Sequence, residues 1–202
     1  MKKNLKWALG LMVLLPLFLY SCSTSSTAQK GEVGRDRQVL SEEGVTLELS
    51  YLDQKALYSV HNSRNNPFVS YMSGTLTVID IKITSDSEVK LELQDMQLSS
   101  DKGVRTHVSK QTLASFWSAR MQKAKNPRSK GKSQYSNWTE SIVLDTIDQY
   151  VYPDEVTVPA GSDTSGYVLF EIIRRAENGR LTVPVYDAQG ELVHEFIYEF
   201  KF

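Results

Sequence analysis

The chain carries one thiol, Cys22, and three imidazoles, His61, His107 and His194. Their spacing bounds the chemistry open to them. No two histidines form a His-Glu-x-x-His pair, no second cysteine can partner the first, and no serine sits in Gly-x-Ser-x-Gly, so the common zinc and acyl-transfer signatures are missing. His194 alternates with apolar residues in "ELVHEFIYEF", which reads as a satisfied strand histidine. Asp145, Asp148, Asp154 and Glu155 gather around "DQYVYPDE" without the Asp-x-Asp-x-Asp-Gly spacing of a calcium loop, and read as a solvated turn. Glycine loops that cradle phosphate are absent. The residues therefore predict no catalytic set, no metal site and no cofactor, and the chain is expected not to be an enzyme.

Cys22 needs its own account. Lys2, Lys3 and Lys6 make a basic start, followed by an apolar run from Trp7 to Tyr20 and then the small residues Ser21 and Cys22. That is the layout of a secretory signal, whose apolar core is about 7–15 residues, whereas a membrane-spanning helix needs about 20. Pro16 also interrupts the run. An exported chain uses cysteines in pairs, so a lone one calls for a reason. Leu19, Tyr20, Ser21 and Cys22 resemble the lipobox of bacterial lipoproteins. The resemblance implies cleavage before Cys22, removal of the signal peptide 1–21, and a lipid anchor on the thiol. Several palmitate-like acyl chains, at about 0.8 kcal/mol per buried methylene, hold a protein stably at a membrane.

Residues 22–37 hold little that is apolar and read as a lipidated flexible tether. Ser23, rather than Asp, follows the cysteine. By resemblance to the sorting rule of enteric lipoproteins this implies the outer membrane. The absence of an acidic cluster after Cys22 points to its periplasmic face. "NWT" at Asn137 is a glycan acceptor only on a eukaryotic secretory path, which the lipobox argues against.

Charge supplies the second informative feature. Without its signal the chain has 20 basic and 24 acidic residues, a net of −4. Between Lys102 and Thr139 stand nine basic residues and no acid, so the remainder sits at −13. Such a segment attracts anionic surfaces. Lys123, Lys125, Arg128, Lys130 and Lys132 are the candidates to bind anionic lipid or acidic glycan as a set, an envelope protein being a further possible partner. Nucleic acid is not expected, because an exported, anchored protein rarely meets it.

Residues 38–202 are long enough for one domain, and their dominant signal is alternation with a period of two, the mark of half-buried strands. Val45, Leu47, Leu49 and Tyr51 share one face; so do Ile79, Ile81 and Ile83, and Val89, Leu91 and Leu93. The last two runs are expected to pair across the "SDS" turn. "GYVLFEII" and "RLTVPVYD" flank Asn178–Gly179, the strongest short hairpin signal. Leu192, His194, Phe196, Tyr198 and Phe200 are placed on one face of the last strand. In "SKQTLASFWSARMQKAK" the spacing turns helical, with Leu113, Phe116, Trp117, Met121 and Ala124 in register. Ser109 is the expected cap and Asn126–Pro127 the expected stop.

"VTVPAGSDTSGYVLFEI" and "TVIDIKITSDSEVKLELQDMQLSSDKG" resemble strands of secreted immunoglobulin-like bacterial domains. The expected fold is all-β: an antiparallel immunoglobulin-like β-sandwich with one short helical insertion at about 110–125, inside a basic helix-loop segment 102–139. The expected function is a lipid-anchored cell-envelope protein acting as a binding or structural module. The alternative is an envelope enzyme with a site assembled from distant strands, which a pocket holding two or more titratable groups would favour.

Overall fold

A computed structural model describes residues 29–30, 37–61, 69, 72, 74–124, 140–173 and 176–202. It shows a mostly antiparallel β-sandwich with a helical insertion. The first sheet has the order β2-β3-β4-β9, from Gln38–Glu42, Val45–Tyr51, Leu76–Ser85 and Ser162–Glu171. The second runs β1-β11-β10-β5-β8, from Gln29–Lys30, Leu192–Lys201, Asn178–Asp187, Val89–Glu92 and Glu155–Val158. β6 (Gln97–Ser100) also pairs β10, and β7 (Gly103–Thr106) pairs β6.

Alternation decides which residues meet between the sheets. Leu47, Leu49, Ile79, Ile81, Ile83 and Phe170 face Leu91, Leu181, Val183, Phe196, Tyr198 and Phe200, all buried. Each large apolar side chain so buried contributes about 1.5–3 kcal/mol. The β2–β3 hairpin closes through Glu43 and Gly44 at φ of 44° and 84°, both positive as a two-residue type I′ turn requires.

Two expected hairpins are crossings between sheets. The "SDS" link carries the chain from β4 in the first sheet to β5 in the second, because β4 is already flanked by β3 and β9. Asn178–Gly179 likewise makes no turn between β9 and β10, which lie in different sheets; the pair begins β10. A Cβ on Gly179 would lie 2.5 Å from Cζ of Phe200, so this glycine makes room for a ring instead of supplying a turn. The hairpin of that region is β10–β11, closed by Asp187, whose Oδ1 accepts from the N–H groups of Gln189 and Glu191 at 2.9 Å each. Leu192 departs from its expected face and stays exposed, because the register shifts between Val185 and Tyr186.

The helical insertion forms where expected: α2, Lys110–Ala124, begins with Ser109 Oγ accepting from Thr112 N–H at 3.0 Å. Among the described residues, α1 (Gln54–Val60) and α3 (Glu140–Tyr150) accompany it, and residues 69, 72 and 74–75 are helical as well. Asp145 and Asp148 therefore lie on a helix, not in a turn: Val143 and Ile147, four apart, are buried and leave both acids outward. Residues 103–106 at the start of the basic segment form β7.

The helices cover one end of the outer face of the first sheet. Leu57, Leu113, Trp117, Val143 and Ile147 pack onto Leu76, Val78 and Leu169 as a second apolar cluster. β9 holds both ends of the insertion: Val108 N–H donates to Leu169 O at 2.6 Å, and Tyr152 N–H to Tyr167 O at 3.1 Å. No helix among the described residues is long and apolar enough to cross a membrane.

Candidate functional site

Cys22, Lys125, Arg128, Lys130 and Lys132 lie outside the described residues, and Lys123 is placed only by the backbone of α2. Other cations of the basic segment are engaged. Lys102 Nζ lies 2.8 Å from Asp101 Oδ2, Lys110 Nζ lies 2.7 Å from Asp148 Oδ1, and Arg120 sits 5.8 Å from the centroids of both Phe116 and Trp117. Lys110 thus ties α2 to α3.

Two histidines serve the frame. His107 Nε2 approaches Asp154 Oδ1 at 3.3 Å without the alignment of a hydrogen bond, closing the neck of the insertion. Burial pulls its pKa down against the opposing field of Asp154. His194 is a buried strand residue, as expected, but not a satisfied one. Its Nδ1 lies 3.8 Å from Glu42 Oε2, and neither atom has a hydrogen-bond partner.

The third histidine belongs to a different arrangement, at the step where the helical layer ends. Successive rows of register partners cross the outer face of the first sheet. Thr46, Thr84 and Asp163 form one row and Glu48, Lys82 and Ser165 the next, both open and polar, with Lys82 Nζ 3.1 Å from Asp163 Oδ2. The following row is Ser50, Asp80 and Tyr167. Beyond it come Val78 and Leu169, under the helices. The Asp80 row is therefore the border between open sheet and covered sheet.

Helices complete this border. Asp53 caps α1 through Oδ1, which accepts from Ala56 N–H at 2.8 Å, and His61 ends that helix. His61 Nε2 lies 3.3 Å from Tyr167 Oη, and its ring meets Tyr150, the last residue of α3, edge-on at 4.6 Å. Tyr150 stacks on Tyr167 at 5.7 Å and 19°. Burial lowers the His61 pKa, so the imidazole is neutral at neutral pH. It raises that of the Tyr167 phenol, reinforced by Asp80 and then Tyr150. The Asp80 carboxyl is also held above its usual range by burial, with Arg37 opposing.

β4, α1, α3 and β9 thus join one carboxyl, one neutral imidazole and two phenols. The sequence hides the set because its members lie at positions 61, 80, 150 and 167. The available hint is an acid between Ile79 and Ile81 on a strand whose other face is core. Among the described residues, no group of three or more His, Cys, Asp or Glu could hold a metal ion. No protein-family model and no curated protein matches this chain.

Proposed function

We propose that this chain is a lipid-anchored protein of the cell envelope that acts as a binding or structural module, held by acyl chains on Cys22 at the periplasmic face of the outer membrane. The observation that carries this reading is Leu19-Tyr20-Ser21-Cys22 behind a basic start and an apolar run of signal-peptide length. Gln29–Lys30 fall within the 22–37 stretch expected to be a flexible tether, yet they pair in parallel with Phe196–Ile197, which leaves seven residues from Cys22 to the sheet, a reach of at most about 25 Å at 3.3–3.6 Å per residue. An anchor on Cys22 would keep the sandwich beside its membrane.

An envelope enzyme with a site assembled from distant elements is the second reading, and the Asp80 row is what favours it. Its chemistry suits holding better than turnover. Tyr167 Oη is the hydroxyl beside the imidazole, yet Tyr167 is buried and its phenol resists ionisation, so it makes a poor nucleophile.

Fractionation tests the anchor. Wild-type protein should partition into the detergent phase of an envelope extract, and Cys22→Ala should remain unprocessed or appear in the aqueous phase. Processing and partition unchanged by Cys22→Ala would contradict the reading.

A further inference from the structure

Asp80 is placed where a carboxyl is costly. Its neighbours Ile79 and Ile81 fill the core, so its own side chain lies on the outer face, half-buried between Ser50 and Tyr167. Among the described residues it makes no hydrogen bond and no ion pair. Arg37, the cation whose field reaches it, is itself paired with Glu48. Burying a charge without a partner is unfavourable, and the polar rows beside it show that Thr or Ser would serve the sheet equally well.

The surroundings of Asp80 are rich in negative potential. Tyr167 is its cross-strand partner, and such partners on one face have Cβ atoms about 4.5–5.5 Å apart. Tyr150 extends the aromatic surface by stacking on Tyr167, and remains half-exposed. Aromatic ring faces carry negative quadrupole potential. His61, neutral because of burial, adds no competing cation. A carboxylate beside tyrosine rings, open to solvent at Asp80 and Tyr150, is the chemistry that recognises an organic cation.

We propose that Asp80 and Tyr150 form a binding site for an organic ammonium group, the carboxylate supplying the counter-charge and the Tyr150 ring the cation–π surface, while the buried Tyr167 holds that ring beside Asp80. This deepens the binding-module reading by giving the module a ligand class, and it does not depend on lipidation of Cys22. The ammonium comes from a free amine in solution or from an amine head group of a lipid.

The test uses the full chain in nonionic detergent with its tyrosine rings isotopically labelled. It is titrated with n-butylammonium, tetramethylammonium or, as control, potassium chloride at matched ionic strength. Saturable shifts of the Tyr150 and Tyr167 ring signals are expected with an ammonium and not with potassium. Asp80→Asn should weaken that binding about tenfold or more, as loss of the counter-charge in a partly desolvated site requires. Glu155→Gln, on the exposed edge strand of the other sheet, should leave it unchanged. Ring shifts with ethanolamine alone assign a free amine; shifts only with micelles containing phosphatidylethanolamine assign a head group. No saturable shift with any of these amines would overturn the proposal. Equal affinity in folded Asp80→Asn, verified by far-ultraviolet dichroism, would overturn it too. Loss of the Cys22 anchor leaves this experiment intact, so the two readings fail separately.

Discussion

Asp80 shows how a single residue sets folding against binding. Its carboxyl binds protons more tightly in the folded chain than in the unfolded one, so stability falls as pH rises through the folded-state pKa. At neutral pH the charge therefore destabilises the sandwich. Asp80→Asn is expected to melt higher than the wild type at pH 7, and the difference should shrink as pH falls toward the ordinary carboxylate value of 3.8. His61 and His107 act in the opposite sense. Burial is the larger cause of lowering in both, so the unfolded chain takes up protons first and stability is lost as pH falls below 6.5. Calorimetry of wild type and Asp80→Asn from pH 4 to 8 separates the two slopes. A variant that melts lower at pH 7 would contradict this account of Asp80. Gain of stability with loss of ammonium binding is the pattern expected of a residue kept for a ligand.

At the scale of elements, the sequence showed strands clearly and their partners poorly. Period-two alternation in Ile79–Ile83 and Val89–Leu93 reports which face is buried, and burial is the same whether the next strand pairs beside it or crosses to the other sheet. Hence "SDS" resembled a hairpin turn. α2 was legible because its spacing is helical and Ser109 caps it; the expected stop, Asn126–Pro127, lies outside the described residues. α3 was missed because three acids among its eleven residues disguised the buried pair Val143 and Ile147. Asn178–Gly179 misled for a steric reason that only the fold reveals. Phe200 is stacked against Tyr51 at 5.1 Å and Tyr198 at 5.0 Å, so its ring cannot move away from an added methyl group. Gly179→Ala should destabilise the protein by about 1–3 kcal/mol, the usual cost of overpacking. Gly74→Ala, where nothing lies within 4 Å, should change stability little. Denaturant titration checks both, and equal midpoints for the two variants would contradict the packing argument.

Charge is unevenly spread over the described residues of the whole molecule. Glu42, Glu43, Asp86, Glu88, Asp187 and Glu191 lie in or beside turns at one end of the sandwich, while α2, which holds three basic residues and no acid, packs at the other, where β4 begins. The sequence reported this asymmetry as a charge run, but it could not show that Lys102 and Lys110 are paired with acids. The remaining candidates, Lys123, Lys125, Arg128, Lys130 and Lys132, should act as a set. Near an anionic membrane each contributes about 1 kcal/mol, fading within a Debye length. Residues 29–202 with these five changed to Gln should co-sediment less with anionic vesicles than the parent at low salt, and equally with neutral ones. Equal binding to anionic vesicles by both would remove that role.

The anchor underlies the account as a whole, and intact-mass analysis of protein extracted from membranes reads it directly. The expected mature chain begins at Cys22, lacks residues 1–21, and exceeds the mass of its amino acids by a diacylglyceryl group with or without a further acyl chain. An unmodified thiol on Cys22, or a chain that retains residues 1–21, would contradict it.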